Sequence, residues 1–205
     1  MTNEELDFEP LVADLTEHGY ALFEQFLSDE ETAALRAVLR TRQAAGQFRA
    51  AGIGAGTQHQ VASDVRGDSI HWFDDDTAEP AERAFLDRIA ALSQYLNRRC
   101  FLGIRSHEIH YAAYPPGTFY RRHLDVFQTK RGRVLSVICY LNDAWVPADG
   151  GQLRLFLPDE SGNEQLLDVD PLGGRLVCFE SDRLEHEVLS AHRERLSLTG
   201  WLRNQ

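Results

Sequence analysis

The residues of this chain best equipped for chemistry are two histidines and an aspartate. His123 and Asp125 are separated by one leucine, and His186 lies downstream in the run Ser181-Asp182-Arg183-Leu184-Glu185-His186-Glu187-Val188. In an extended segment, residues two apart leave the backbone on the same face, so the His123 imidazole and the Asp125 carboxylate can converge. Two neutral imidazoles and a carboxylate on one face of a divalent metal leave three coordination positions open. That is the donor set of non-haem Fe(II) sites that bind a chelating co-substrate and O2. Arg195 follows His186 by nine residues and offers a planar, permanently charged, bidentate donor. Such a group suits the C5 carboxylate of 2-oxoglutarate, whose C1 carboxylate and C2 carbonyl would chelate the metal. On a strand starting at Arg195, Ser197, Thr199 and Trp201 share its side. Their hydroxyls can add hydrogen bonds, and the indole can wall the pocket.

These side chains need a rigid frame. Ser28 and Glu31 have capping-box spacing, and Leu35, Val38 and Leu39 supply an apolar stripe running toward Gly46, which predicts one helix. A second is predicted from Pro80 to Arg99, where Phe85, Ile89, Leu92 and Leu96 recur on one face. From Phe101 onward the pattern changes to short apolar or alternating runs at 108–114, 134–141, 152–157, 175–179 and 195–202. Turn residues punctuate them at Pro115-Pro116-Gly117, Asp149-Gly150-Gly151, 159–163 and Gly173-Gly174. The expected architecture is mainly β with flanking helices: a double-stranded β-helix, or jelly roll, packed against N-terminal helices. A single domain over residues 1–205 is expected, with 1–100 a helix-rich support and 101–205 the core. Gly52, Gly54 and Gly56 match no phosphate-loop spacing and read as strand or loop.

Composition narrows the partners. The 21 basic and 32 acidic residues leave a net charge of −11, which repels phosphate backbones and disfavours nucleic-acid binding. The longest nearly apolar run, 134–141, is far short of the roughly 20 residues a membrane helix requires. The acidic N-terminus lacks a basic segment followed by an apolar one, so no secretory signal and a cytoplasmic location are expected. Three cysteines, Cys100, Cys139 and Cys178, stand far apart without a C-x-x-C pair. Neither a zinc knuckle nor a disulfide framework is indicated, and Cys139 and Cys178 read as buried packing residues.

From Val65 to Trp201 the sequence resembles the 2-oxoglutarate/Fe(II) oxygenases of the prolyl 4-hydroxylase family, particularly the oxygen-sensing prolyl hydroxylases and their bacterial relatives. The resemblance extends beyond the metal-site residues. Arg66-Gly67-Asp68 with Ile70 and Trp72 is similar to the segment that opens the substrate-covering loop of that branch. Tyr114-Pro115, Tyr120 and Arg122 precede His123 in the family's order. Tyr140-Leu141-Asn142 and Gly150-Gly151-x-Leu153-Arg154 resemble two of its strands. The resemblance implies that His123, Asp125 and His186 bind Fe(II). It implies that Arg195, Tyr140, Tyr114 and Thr199 hold 2-oxoglutarate in a pocket lined by Leu153 and Val188. Asp68, Arg66, Arg122, Arg133, Arg154 and Trp201 become candidates for loop ordering and substrate contact.

The implied reaction consumes 2-oxoglutarate and O2, releases succinate and CO2, and hydroxylates C4 of a prolyl residue in a protein or peptide. Ascorbate is the reductant to consider, and elongation factor Tu is the specific substrate the bacterial branch suggests. The presence of Asp125 favours hydroxylation over halogenation, which needs that position for a halide. Two alternatives stand beside this reading: hydroxylation of a free amino acid or small metabolite, and a non-catalytic metal- or ligand-binding β-barrel acting as a sensor. A nucleic-acid demethylase fits the charge poorly. Of the other histidines, His107 and His110 are three apart and should face opposite ways, with His110 on the side of Tyr114. His71 is a lesser candidate for substrate contact, and His18, His59 and His192 rank below all of these.

Overall fold

The capping box at Ser28 forms. Its hydroxyl accepts from the Glu31 N–H at 3.2 Å and the Glu31 carboxylate accepts from the Ser28 N–H at 2.8 Å, starting helix α2 (Asp29–Ala44). Helix α3 (Pro80–Cys100) opens with a proline, where the missing N–H is no loss. A further helix, α1 (Glu9–His18), stops at Gly19 with φ +77°. It escapes a periodicity reading because its stripe is only Leu11, Val12 and Leu15 and no side chain caps its start. The computed structural model describes residues 6–52, 64–125, 132–159 and 162–205. Gly54, Gly56, His59 and the centre of the 159–163 turn lie outside the described residues, while Gly52 sits in irregular chain.

The strands are β1 (Tyr20–Phe23), β2 (Arg49–Ala50), β3 (Ser69–Phe73), β4 (Ser106–Tyr114), β5 (Tyr120–His123), β6 (Arg133–Tyr140), β7 (Leu153–Pro158), β8 (Glu164–Val169), β9 (Leu176–Glu180), β10 (Glu185–Val188) and β11 (Arg195–Arg203). They form two antiparallel sheets, β1-β9-β6-β11-β4-β3-β2 and β5-β10-β7-β8, a jelly roll. The five runs read from the second half match β4, β6, β7, β9 and β11 within a residue or two. The first half, however, supplies more than helices, because β1, β2 and β3 extend the larger sheet. At two to five residues each, they are too short for alternation to declare itself.

Alternation along the larger sheet sorts side chains into two cores. Ile109, Tyr111, Ala113, Leu135, Val137, Cys139, Leu196, Leu198 and Leu202 pack against Leu11, Leu35, Leu39, Phe85, Ile89, Leu92 and Leu96 of the helices. The opposite face turns Ala112, Tyr114, Ile138, Tyr140, Val177 and Phe179 toward Leu153, Leu155 and Val188 of the smaller sheet. A one-residue slip would exchange the faces, so the helix-side core fixes which side chains reach the space between the sheets. All three cysteines are free, and Cys139 and Cys178 are buried. No helix among the described residues is long and apolar enough to cross a membrane.

Candidate metal centre

His123 closes β5 and His186 lies in β10, and the antiparallel register sets them directly opposite one another, with ring centroids 4.2 Å apart. Tyr120 stacks on the His123 ring at 3.6 Å and Phe179 meets the edge of His186 at 4.6 Å, which restricts both imidazoles. His123 Nδ1 lies 2.7 Å from the Arg121 carbonyl oxygen and His186 Nδ1 3.2 Å from that of Leu184. A carbonyl only accepts, so each Nδ1 donates to it and leaves Nε2 as the atom directed at Asp125. His123 Nε2 is 3.5 Å from Oδ1 and His186 Nε2 is 3.7 Å from Oδ2. One donor atom from each of the three residues lies within 4.8 Å of the others.

Burial opposes ionisation of Asp125, but His186, His123 and the Ser136 hydroxyl outweigh it and hold its carboxyl well below the usual range. Burial pushes His186 down to about 4, so the ring is neutral near pH 7. Two imidazoles and one carboxylate, with no thiolate beside them, fit a ferrous ion.

Along β11 the cavity face carries Arg195, Ser197, Thr199 and Trp201, as alternation requires. Arg195 is 1% exposed. Its Nε donates to the Gly151 carbonyl at 2.8 Å, and its guanidinium lies 5.0 and 5.1 Å from the ring centres of Tyr140 and Tyr114. Arg195 Nη2 and the Tyr140 hydroxyl have no hydrogen-bond partner, and no carboxylate among the described residues pairs with Arg195. A buried cation without an anion is unfavourable unless a ligand supplies one, so this pair fits a carboxylate guest. The turn before β7 matters here. Gly150 and Gly151 have φ of +69° and +67°, and a Cβ on Gly150 would sit 2.4 Å from the Ser190 carbonyl oxygen. That left-handed turn presents the carbonyl that orients Arg195. Leu153 and Val188 pair across β7 and β10, both buried. The Thr199 and Ser197 hydroxyls lie 3.1 Å apart.

The structure divides the remaining candidates. Arg66 grips Asp68 through Nε and Nη2, at 2.8 and 2.6 Å, and covers the Tyr120 ring at 4.2 Å. This segment lies just before and within β3, with Ile70 and Trp72 on the strand itself. Arg133 lies 3.3 Å from the Trp201 ring centre and donates to the Asp125 carbonyl at 3.2 Å. Arg122 and Arg154 are not brought to the cavity. They share the outward face of the smaller sheet with Glu185 and Glu187, opposite His186. Arg122 pairs with Glu164 and Glu185, and Arg154 with Asp168 and Glu187. His71 and His107 occupy the face of the larger sheet away from the metal centre, His71 stacking on Phe48.

His110 takes the Tyr114 side of β4, as its spacing predicts. It faces the cavity beside Thr199, 4.4 Å from the Trp72 ring and 5.7 Å from Trp201, with Nδ1 buried and unpartnered. Burial, with Arg66 and Arg133 nearby, pushes it down to about 3. Ser136 and Ser181, which contact Asp125 in series, had no signal in spacing at all.

Residues 109–203 match the model of the 2OG-Fe(II) oxygenase superfamily. A hypoxia-inducible factor prolyl hydroxylase of Caenorhabditis elegans is 33% identical over 94% of this chain, which spans 28% of that protein's length. Among solved structures, a prolyl-4-hydroxylase of Pseudomonas putida is 45% identical with a TM-score of 0.83, covering 95% of this chain and 97% of its own. A Trichoplax adhaerens prolyl hydroxylase, solved in complex with a hypoxia inducible factor oxygen degradation domain peptide fragment, is 30% identical with a TM-score of 0.77, covering 95% and 88%. With its folded frame, its histidine–aspartate–histidine cluster and relatives matched over nearly the whole chain, this protein belongs to the 2OG-Fe(II) oxygenase superfamily, among the prolyl hydroxylases.

Proposed function

We propose that this chain hydroxylates C4 of a prolyl residue in a protein substrate, consuming 2-oxoglutarate and O2 and releasing succinate and CO2. The observation that carries this reading is the buried Arg195, lacking any anionic partner among the described residues, on the strand that passes the His123, Asp125 and His186 cluster. In this reading those three residues hold Fe(II), which supplies the O2-activating chemistry when bound, with ascorbate as its external reductant. Arg195 Nη2 and the Tyr140 hydroxyl bind the C5 carboxylate of 2-oxoglutarate, and Tyr114 and Thr199 flank the molecule. Leu153 and Val188 exclude water from its methylene carbons. Arg66, Asp68, Arg133 and Trp201 order the side of the cavity where substrate enters.

A proline within a polypeptide is supported by relatives named as prolyl hydroxylases, one of them bound to a peptide. The net charge of −11 weighs against a nucleic acid. Elongation factor Tu is the first substrate to try. Incubation with Fe(II), 2-oxoglutarate, ascorbate and O2 should add one oxygen atom to a proline of that factor, with succinate formed in step. Oxidation of free proline but of no protein would favour the small-metabolite hydroxylase. Absence of 2-oxoglutarate turnover with every candidate would favour the non-catalytic sensor.

A further inference from the structure

The two carboxylate oxygens of Asp125 have different surroundings. Oδ2 accepts the Ser136 hydroxyl at 2.6 Å, and the Ser181 hydroxyl oxygen lies 2.9 Å from that of Ser136. The order of donation is forced. An ionised carboxylate can only accept, so the single hydroxyl proton of Ser136 goes to Oδ2, and Ser136 must in turn accept the proton of Ser181. Each oxygen faces one imidazole, Oδ1 at 3.5 Å from His123 Nε2 and Oδ2 at 3.7 Å from His186 Nε2, but Oδ1 receives no hydroxyl or amide hydrogen bond from the described residues. Both serines are buried, at 2% and 0% exposure. Ser136 reaches the cavity because β6 alternates, sending Leu135 and Val137 to the helices. Ser181 follows β9 directly, its N–H bonded to the Val134 carbonyl at 3.1 Å.

A six-coordinate ion bound by two imidazoles and one carboxylate oxygen keeps three positions free, enough for a two-atom chelate and O2. A carboxylate bound through both oxygens would take one of those positions. We propose that Ser136, backed by Ser181, is a positioning residue that occupies Oδ2 and so confines Asp125 to coordination through one oxygen. The inference rests on the Fe(II)/2-oxoglutarate reading above. It predicts that loss of the hydroxyl damages keto-acid chelation more than metal binding.

The experiment uses the whole chain without oxygen. Mn(II) affinity is measured by calorimetry, and 2-oxoglutarate affinity on the Fe(II)-loaded protein is read from the visible charge-transfer band of the chelate. Ser136→Ala and Ser136→Val should keep Mn(II) affinity within about threefold and lose about tenfold in 2-oxoglutarate affinity, whereas a general loosening of the ligand set would lower metal affinity itself. Ser136→Thr should restore wild-type behaviour, and Ser181→Ala should show a smaller loss in the same direction. Threonine and valine are nearly equal in shape, so their difference reports the hydroxyl even where alanine impairs folding. Unchanged 2-oxoglutarate affinity in both the alanine and valine variants overturns the inference, as does a parallel loss of Mn(II) and 2-oxoglutarate binding. A wild type that binds Mn(II) but forms no keto-acid band overturns the co-substrate reading and this inference with it. A wild-type band that persists unchanged in both Ser136→Ala and Ser136→Val overturns the inference alone.

Discussion

Arg195 is a fully buried guanidinium with an unpartnered nitrogen, so truncation removes a ligand-binding group without breaking an internal ion pair. Arg195→Ala is expected to weaken 2-oxoglutarate binding by about 2–5 kcal/mol, the range for removing one side of a buried charge pair. Titration calorimetry on Mn(II)-loaded protein checks this, and an unchanged affinity would take Arg195 out of its role. His110 makes a second prediction at this scale. Burial, with Arg66 and Arg133, holds it down to about 3, against 6.5 for an ordinary histidine. Below the higher value the unfolded chain takes up a proton that the native state refuses. Stability from this residue is therefore complete above the unfolded value and falls as pH drops toward the native one. At pH 5 the loss should reach about 2 kcal/mol relative to pH 7. Urea unfolding at both pH values should show that loss shrinking in His110→Leu, and an equal loss in the variant would refute the assignment.

At the scale of elements, the start of α2 and the turn before β7 act through different physics. The Ser28 cap satisfies a helix N–H, and its partner Glu31 also accepts from Arg88 of α3 at 2.6 Å, so one motif ties two helices together. Ser28→Ala should cost about 1 kcal/mol of stability by urea denaturation and leave 2-oxoglutarate affinity unchanged, because the helices lie behind the larger sheet. Gly150→Ala should do both kinds of harm. Its φ is +69° and the new Cβ would meet the Ser190 carbonyl oxygen at 2.4 Å, so roughly 1–3 kcal/mol of strain is expected. The shifted turn would also draw the Gly151 carbonyl away from Arg195 Nε. Full retention of 2-oxoglutarate binding in a destabilised Gly150→Ala would show that the turn supports the fold without orienting Arg195.

For the molecule as a whole, the donors come from segments far apart in sequence, β5 with the residues after it and β10, and so exist together only in the folded chain. Metal binding must therefore stabilise folding by mass action. A free Mn(II) concentration 100 times the dissociation constant should add about 2.7 kcal/mol. Thermal unfolding with Mn(II) and then with excess chelator measures this. His123→Ala should abolish the difference, and a melting temperature indifferent to both additions would argue against a shared ion. The net charge of −11 acts at this scale too, setting which macromolecules approach without deciding which side chain meets them.

The sequence alone determined whatever depends on residue type and local order. His123 and Asp125 can share a face because strands repeat every two residues, α2 and α3 declare themselves by capping and a 3.6-residue stripe, and Arg195 leads a strand whose alternate residues are Ser197, Thr199 and Trp201. Tertiary structure decided what depends on pairing. The register that sets His186 opposite His123, the outward facing of Arg122 and Arg154, and the use of β1, β2 and β3 to widen the larger sheet are long-range choices of strand partner. The contact of Ser136 and Ser181 with Asp125 and the seat of His110 between two tryptophans are of the same kind. Spacing along a chain reports which side of a strand a residue takes. Only the packing of the two sheets reports which side faces the cavity and what waits there.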